Sequence, residues 1–163
     1  MAKTKVPYVL VVVDVQPGFD TAKDVIDPVC KLVIKAIADG MPIVILEFDP
    51  TRFDDTYTQV TDLCKGYNKT LVVTKDMDDG SEEVISALRN AGYKYPRILL
   101  CGVNFEFCVF ATAVGLANGL EDTTVVVDTE AVHGPYYDAE DPSYWDSLQR
   151  RYNKNGVKLL NYG

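Results

Sequence analysis

The sequence predicts an α/β fold: a three-layer sandwich with a central six-stranded, mostly parallel sheet of Rossmann type. Two observations carry that expectation. Short runs of branched apolar residues end abruptly in polar residues or turns, and amphipathic segments with helical spacing lie between them. The resulting order, β-α-β-(α)-β-α-β-α-β-α-β, calls for right-handed crossovers between parallel neighbours. A chain of 163 residues with 47% hydrophobic residues can bury a substantial core, and one domain over residues 1–163 accounts for it.

The first strand is Tyr8 to Val13, a continuous apolar run suited to a central strand covered on both faces. It ends at Asp14, and Pro17-Gly18 breaks the backbone. Asp27-Pro28 predicts a helix start, with Asp as cap and Pro in the first turn. Val29, Leu32, Val33, Ala36 and Ile37 follow at helical spacing up to the stop at Asp39-Gly40. Pro42 to Phe48 is the second strand, closed by Asp49-Pro50. Phe53 to Lys65 reads as a loop with a short helix. Thr70 to Thr74 is the third strand, ending at Lys75 and followed by the polar turn Asp76 to Gly80.

A helix starts at Ser81-Glu82-Glu83, with Val84, Ile85 and Leu88 on its apolar face and Gly92 after it. Arg97 to Cys101 is the fourth strand. Phe105 to Asn118 is the next helix, whose small residues Ala111, Ala113, Gly115 and Ala117 suit close packing against the sheet or a partner subunit. Thr123 to Val127 is the fifth strand, ending at Asp128 before a loop through His133-Gly134-Pro135. Ser143 to Lys154 reads as the last helix, and Gly156 to Leu160 as a short edge strand. The aromatic and acidic segment Tyr136 to Trp145 fits a subunit contact or a solvated helix equally well.

Composition excludes several classes of function. The net charge of −8, from 24 acidic and 16 basic residues, opposes nucleic-acid binding and a basic membrane-surface patch. No apolar run approaches the roughly 20 residues needed to cross a bilayer. The basic start Met1 to Lys5 precedes an apolar run that ends in Asp14 with no small-residue cleavage site, so it reads as a strand and not a signal peptide. Four cysteines without a CxxC pair and a single histidine give no zinc-site spacing. A cytoplasmic protein with free thiols follows, with no cofactor.

In open parallel sheets, function gathers at the carboxyl ends of the strands. The candidates there are Asp14, Asp49, Lys75, Asn104 to Cys108, and Asp128 to His133. Cys108 falls in the first turn of a helix, where unpaired N–H groups and the dipole favour a thiolate. If the first, third and fourth strands share a crevice, a carboxylate (Asp14), an ammonium (Lys75) and a thiol (Cys108) converge as base, electrostatic partner and nucleophile. Cys101, inside an apolar strand, reads as packing, as do Cys30 and Cys64. His133, without a ligand partner at metal spacing, reads as a pocket-rim residue. Gln16, Phe19, Phe105 and Phe107 are the substrate-binding candidates; the alternative for Gln16 is a brace of the first loop, and for each phenylalanine a place in the core.

These residues resemble the isochorismatase-like cysteine hydrolases, which include nicotinamidases and N-carbamoylsarcosine amidases. Val12-Val13-Asp14-Val15-Gln16-Pro17-Gly18-Phe19 is similar to the family's opening strand and D-x-Q-x-x-F. Lys75 closes a strand before a polar turn and a helix. Cys101-Gly102-Val103-Asn104-Phe105-Glu106-Phe107-Cys108-Val109, followed by Ala111-Thr112-Ala113, resembles C-G-V-x-x-x-x-C-V-x-x-T-A. The resemblance implies Asp14 as proton acceptor, Lys75 as its electrostatic partner and Cys108 as nucleophile. It implies a cis peptide between Val103 and Asn104, an oxyanion hole from the amides of Asn104 and Cys108, a small-molecule substrate and a homo-oligomer.

Two departures bear on substrate. Nicotinamidases of the family carry a metal on an Asp and two His after the second strand. Here Asp49 stands in that place, but Pro50 to Asp62 holds no histidine, so no such metal is expected. The turn after Lys75 lacks the S-x-F pattern of many members. The expected activity is hydrolysis of a small amide or related C–N bond through a thioester. The rivals are isochorismatase-type vinyl-ether hydrolysis and a non-enzymatic binding or assembly protein that keeps the fold.

Overall fold

The computed structural model describes residues 6–94 and 96–161; the basic start Met1 to Lys5 lies outside them. Six strands form one sheet: β1 (Val9–Val13), β2 (Ile43–Phe48), β3 (Thr70–Lys75), β4 (Arg97–Val103), β5 (Thr124–His133) and β6 (Val157–Leu160). Their order is β3-β2-β1-β4-β5-β6, and every neighbouring pair is parallel. The order reverses between β1 and β4, so the crevice beyond their carboxyl ends is the topological switch point where such sheets place their sites.

Alternate residues of each central strand serve opposite faces. Val9, Val11 and Val13 join a core with α4 (Ser81–Ala91), α5 (Cys108–Gly119) and α6 (Pro142–Lys154). Leu10 and Val12 join a second core with α1 (Ile26–Asp39) and α3 (Thr58–Thr61). All five β1 residues are fully buried, which is why the strand reads as an unbroken apolar run. A short helix, α2 (Pro50–Phe53), follows β2.

Three element boundaries differ from expectation. Asp27 does not cap α1: the chain enters it through a 3-10 turn, Ala22–Val25, anchored by buried Ala22 and Val25, and Asp27-Pro28 falls within the first helical turn. The fifth strand runs past Asp128 to His133, because a register shift between Leu100 and Gly102 of β4 lets Val132 and His133 pair again with Gly102 and Val103. α5 begins at Cys108 and not at Phe105, since Phe107 and Val109 both donate to Asn104 O in a tight turn before the helix.

Candidate active site

Asp14 follows β1, Lys75 closes β3 and Cys108 opens α5. The structure brings all three to the switch-point crevice. β3 is the edge strand, two places from β1, so Lys75 must reach across the end of β2. Its Nζ passes 4.5 Å from the centre of the Phe48 ring and stops 3.1 Å from Asp14 Oδ2. Nζ also donates to Met77 O (2.9 Å) and Asp78 O (3.0 Å), so its three protons are all engaged. Both side chains of the pair are almost wholly buried. Gly80 makes room for the lysine: a Cβ there would stand 2.7 Å from Lys75 Cδ and 2.8 Å from Leu46 Cδ2.

The Cys108 thiol donates to Asp78 Oδ1 at 3.7 Å, and it lies close enough to Asp14 for the two groups to influence each other's ionisation. Among the described residues the Asp14 carboxylate has the Lys75 ion pair and no hydrogen-bond partner of good geometry. Burial raises Asp14 to a pKa of about 6; the Lys75 charge and the neighbouring Cys108 thiol oppose the rise, and the Asp78 charge adds to it. Burial also pushes the Cys108 thiol well above its ordinary range, with the Asp14 charge adding to the effect and Lys75 opposing it. This corrects the expectation of a ready-made thiolate. The helix start favours the anion, but desolvation and two carboxylates outweigh it. In the resting site burial and the neighbouring carboxylates favour the thiol form of Cys108.

The backbone between β4 and α5 shapes the floor. Gly102 has φ +113°, and a Cβ there would fall 2.1 Å from Val13 O, so only glycine lets β4 approach β1 this closely. The Val103–Asn104 peptide is cis. Thr21 Oγ1 donates to Asn104 Oδ1, tying the turn to the loop after β1. Cys108 is the first helical residue, so its N–H has no acceptor within α5.

The other expected residues divide. Gln16 and Phe105 are both buried and engaged within the protein. Gln16 is fully buried and spends its amide on the chain: Nε2 donates to Phe48 O (2.9 Å) and Asp54 O (2.7 Å), and Oε1 accepts from Phe48 N (2.7 Å). Phe105 is a core residue stacked on Tyr152 at 5.0 Å, and its carbonyl accepts from the Tyr152 hydroxyl. Phe19 is half-buried in a cluster with Phe48 and Phe53. Phe107 is 43% exposed, with Tyr136 tilted against it at 6.1 Å.

His133 closes β5, stacked on Tyr137 at 4.4 Å, with its carbonyl accepting from Phe105 N. Asp49 Oδ1 accepts from Thr51 Oγ1 at 2.6 Å. Around Asp49 stand Lys75, Asp76 and Glu83 without a histidine, and among the described residues no group of three or more acidic, histidine or cysteine side chains is arranged to hold a metal. That donor set does not suit the family's metal. All four cysteines are free.

Sequence reasoning missed Asp78, Thr112 and Glu106. Thr112 Oγ1 donates to Asp78 O (3.2 Å) and accepts from Gly80 N (3.1 Å), pinning the loop after Lys75 to α5. Glu106 is 7% exposed, and its Oε1 accepts from Tyr144 Oη at 2.7 Å. Asp78, Asp79, Glu106, Phe107 and Arg151 are among the residues lining a cavity of about 380 Å³ between the loop after Lys75 and α5. Only the run of acids after Lys75 hinted at this wall.

The family model of the isochorismatase domain matches residues 8–152. The chain belongs to the isochorismatase-like hydrolase family. A search of curated protein sequences found no match. Solved structures share the fold at low identity. MAR1 ribonuclease from Caenorhabditis elegans superposes with a TM-score of 0.77 at 18% identity, over 95% of this chain and 77% of that one. The nicotinamidase from Staphylococcus aureus gives 0.76 at 18%, over 95% and 99%. N-carbamoylsarcosine amidase from Thermoplasma acidophilum gives 0.67 at 20%, over 94% and 95%. The hydrolases of this fold thus differ in what they act on, and the substrate of this one must be argued from its own residues.

Proposed function

We propose that the protein is a cysteine hydrolase of a small amide or related C–N bond, with Asp14, Lys75 and Cys108 as its catalytic residues. The observation that carries this reading is their convergence in one buried crevice, with Lys75 Nζ 3.1 Å from Asp14 and Asp14 beside the thiol. Asp14 takes the thiol proton as Sγ attacks the carbonyl carbon. The oxyanion sits on the amides of Asn104 and Cys108. Asp14 then passes its proton to the leaving nitrogen, ammonia or an amine departs, and water hydrolyses the thioester to release the acid. Lys75 holds Asp14 in place and keeps it ionised near neutral pH.

The amidase named among the structural neighbours supports a C–N bond as the target. Hydrolysis of RNA, named for another neighbour, is opposed by the net charge of −8. Four free thiols fit a reducing cytoplasm. A homo-oligomer is part of the same proposal. Cys108→Ala should abolish turnover while urea unfolding stays close to wild type. Normal turnover by that variant would leave the fold without this chemistry.

A further inference from the structure

Resting on that reading of Cys108, we infer that Asp78 sets the charge selectivity of the site, admitting neutral and cationic amides and turning away substrates that carry a carboxylate near the reacting carbon. Three observations support it. Asp78 Oδ1 touches the nucleophile at 3.7 Å, and Asp78 is exposed whereas Cys108 is 5% exposed, so the carboxylate stands on the solvent side of the thiol. Its place does not depend on its own side chain: Asp78 O accepts from Lys75 Nζ and Thr112 Oγ1, and Asp79 Oδ1 accepts from Ser81 N at 2.8 Å. The adjoining cavity continues the same sign, with Asp79 and Glu106 on its wall.

The buried cation of the site is already committed, and the cation on the cavity wall is held by neutral groups on α5 and the turn before it. Lys75 is engaged by Asp14 and two carbonyls. Arg151, also on the cavity wall, lies 3.8 Å over the Phe110 ring and donates from Nη1 to Glu106 O at 3.2 Å. A substrate carboxylate would therefore meet the Asp78 charge first, with Lys75 already ion-paired, while an amide N–H or an ammonium would find an acceptor there. Asp78 is a specificity residue, and its charge also disfavours the vinyl-ether rival wherever that substrate is a carboxylate.

The test is alkylation of Cys108 in the full folded chain by two reagents of one shape, neutral iodoacetamide and anionic iodoacetate. In each, the sulfur–carbon bond forms as iodide leaves and the thiol proton passes to Asp14. Rates are read residue by residue by mass spectrometry, with Cys30, half-buried on α1, as internal reference. Asp78→Asn keeps the size of the side chain and removes its charge. It should raise the iodoacetate-to-iodoacetamide rate ratio at Cys108 about five-fold, the effect of one unit charge at roughly 4 Å in a water-like medium, and leave the ratio at Cys30 unchanged. An unchanged ratio at Cys108 overturns the inference. So does a Cys108 that neither reagent reaches, since a site open to an amide must admit iodoacetamide. The catalytic reading fails on a different result, turnover that survives Cys108→Ala.

Discussion

Replacing Lys75 with methionine isolates the ion pair on which the site depends. The side chain is wholly buried, and its Nζ serves Asp14 Oδ2, Met77 O and Asp78 O. Methionine keeps most of the packing volume and removes the charge. Losing the donor to two carbonyls costs about 1 kcal/mol each at any pH. Leaving Asp14 ionised without its counter-ion adds a cost that depends on pH. Asp14 already holds a raised pKa of about 6 in the fold, against an ordinary value of 3.8, and Lys75 is what opposes a further rise. A carboxyl raised in the folded state binds its proton more tightly there, so its ionisation destabilises the fold as pH climbs, and this cost is complete only above the folded pKa.

In the variant that pKa moves higher, so the gap to wild type opens above about pH 6. The expected destabilisation is about 2 kcal/mol at pH 5, where Asp14 is mostly protonated in both proteins, and about 4 kcal/mol at pH 8. Urea unfolding followed by circular dichroism at the two pH values measures both. Equal losses at pH 5 and pH 8 would refute the claim that Lys75 acts by balancing Asp14.

The same Asp14 predicts an acid limb in kcat/KM near pH 6, activity being lost as pH falls and the base takes up its proton. Asp78→Asn should move that limb to lower pH, because the Asp78 charge helps to raise Asp14; a profile flat from pH 5 to 7 would count against Asp14 as the base. Gln16→Leu removes three buried hydrogen bonds and strands Phe48 N, Phe48 O and Asp54 O. It should lower the unfolding free energy by about 3 kcal/mol, and a loss under about 1 kcal/mol in urea titration would deny Gln16 its bracing role. Tyr152→Phe deletes the hydroxyl that donates to Phe105 O but keeps the ring stack; about 1 kcal/mol should go, and a midpoint unchanged from wild type would show that the bond adds nothing.

The strands were legible because a strand buried on both faces must be apolar throughout, as Val9–Val13 is. Asp14, Lys75 and Cys108 were legible as candidates because function collects at strand ends. Their meeting was not, since it depends on a strand order that local pattern does not encode and on Lys75 crossing over Phe48. Phe105 and Phe107 look alike in the sequence. What separates them is Tyr152 of α6, which claims Phe105 for the core and leaves Phe107 exposed. Gln16 read equally as a brace or a substrate contact, and what separates the two is the backbone at the end of β2 and in the loop after it, which takes up its amide. The ionisation of Cys108 is hidden from the sequence for a related reason: a helix start is visible there, whereas the burial and the carboxylates that raise the thiol come from distant segments.

The central claim is that Cys108 forms a covalent acyl intermediate with Asp14 as its base. The most direct measurement is intact-protein and peptide mass spectrometry after rapid acid quench of the enzyme with a panel of small neutral and cationic amides. The account predicts a mass increase equal to the acyl group, confined to the peptide that carries Cys108, released by hydroxylamine and absent from Cys108→Ala. Turnover of an amide with no adduct on wild type under single-turnover conditions, or an adduct that persists in Cys108→Ala, would contradict it.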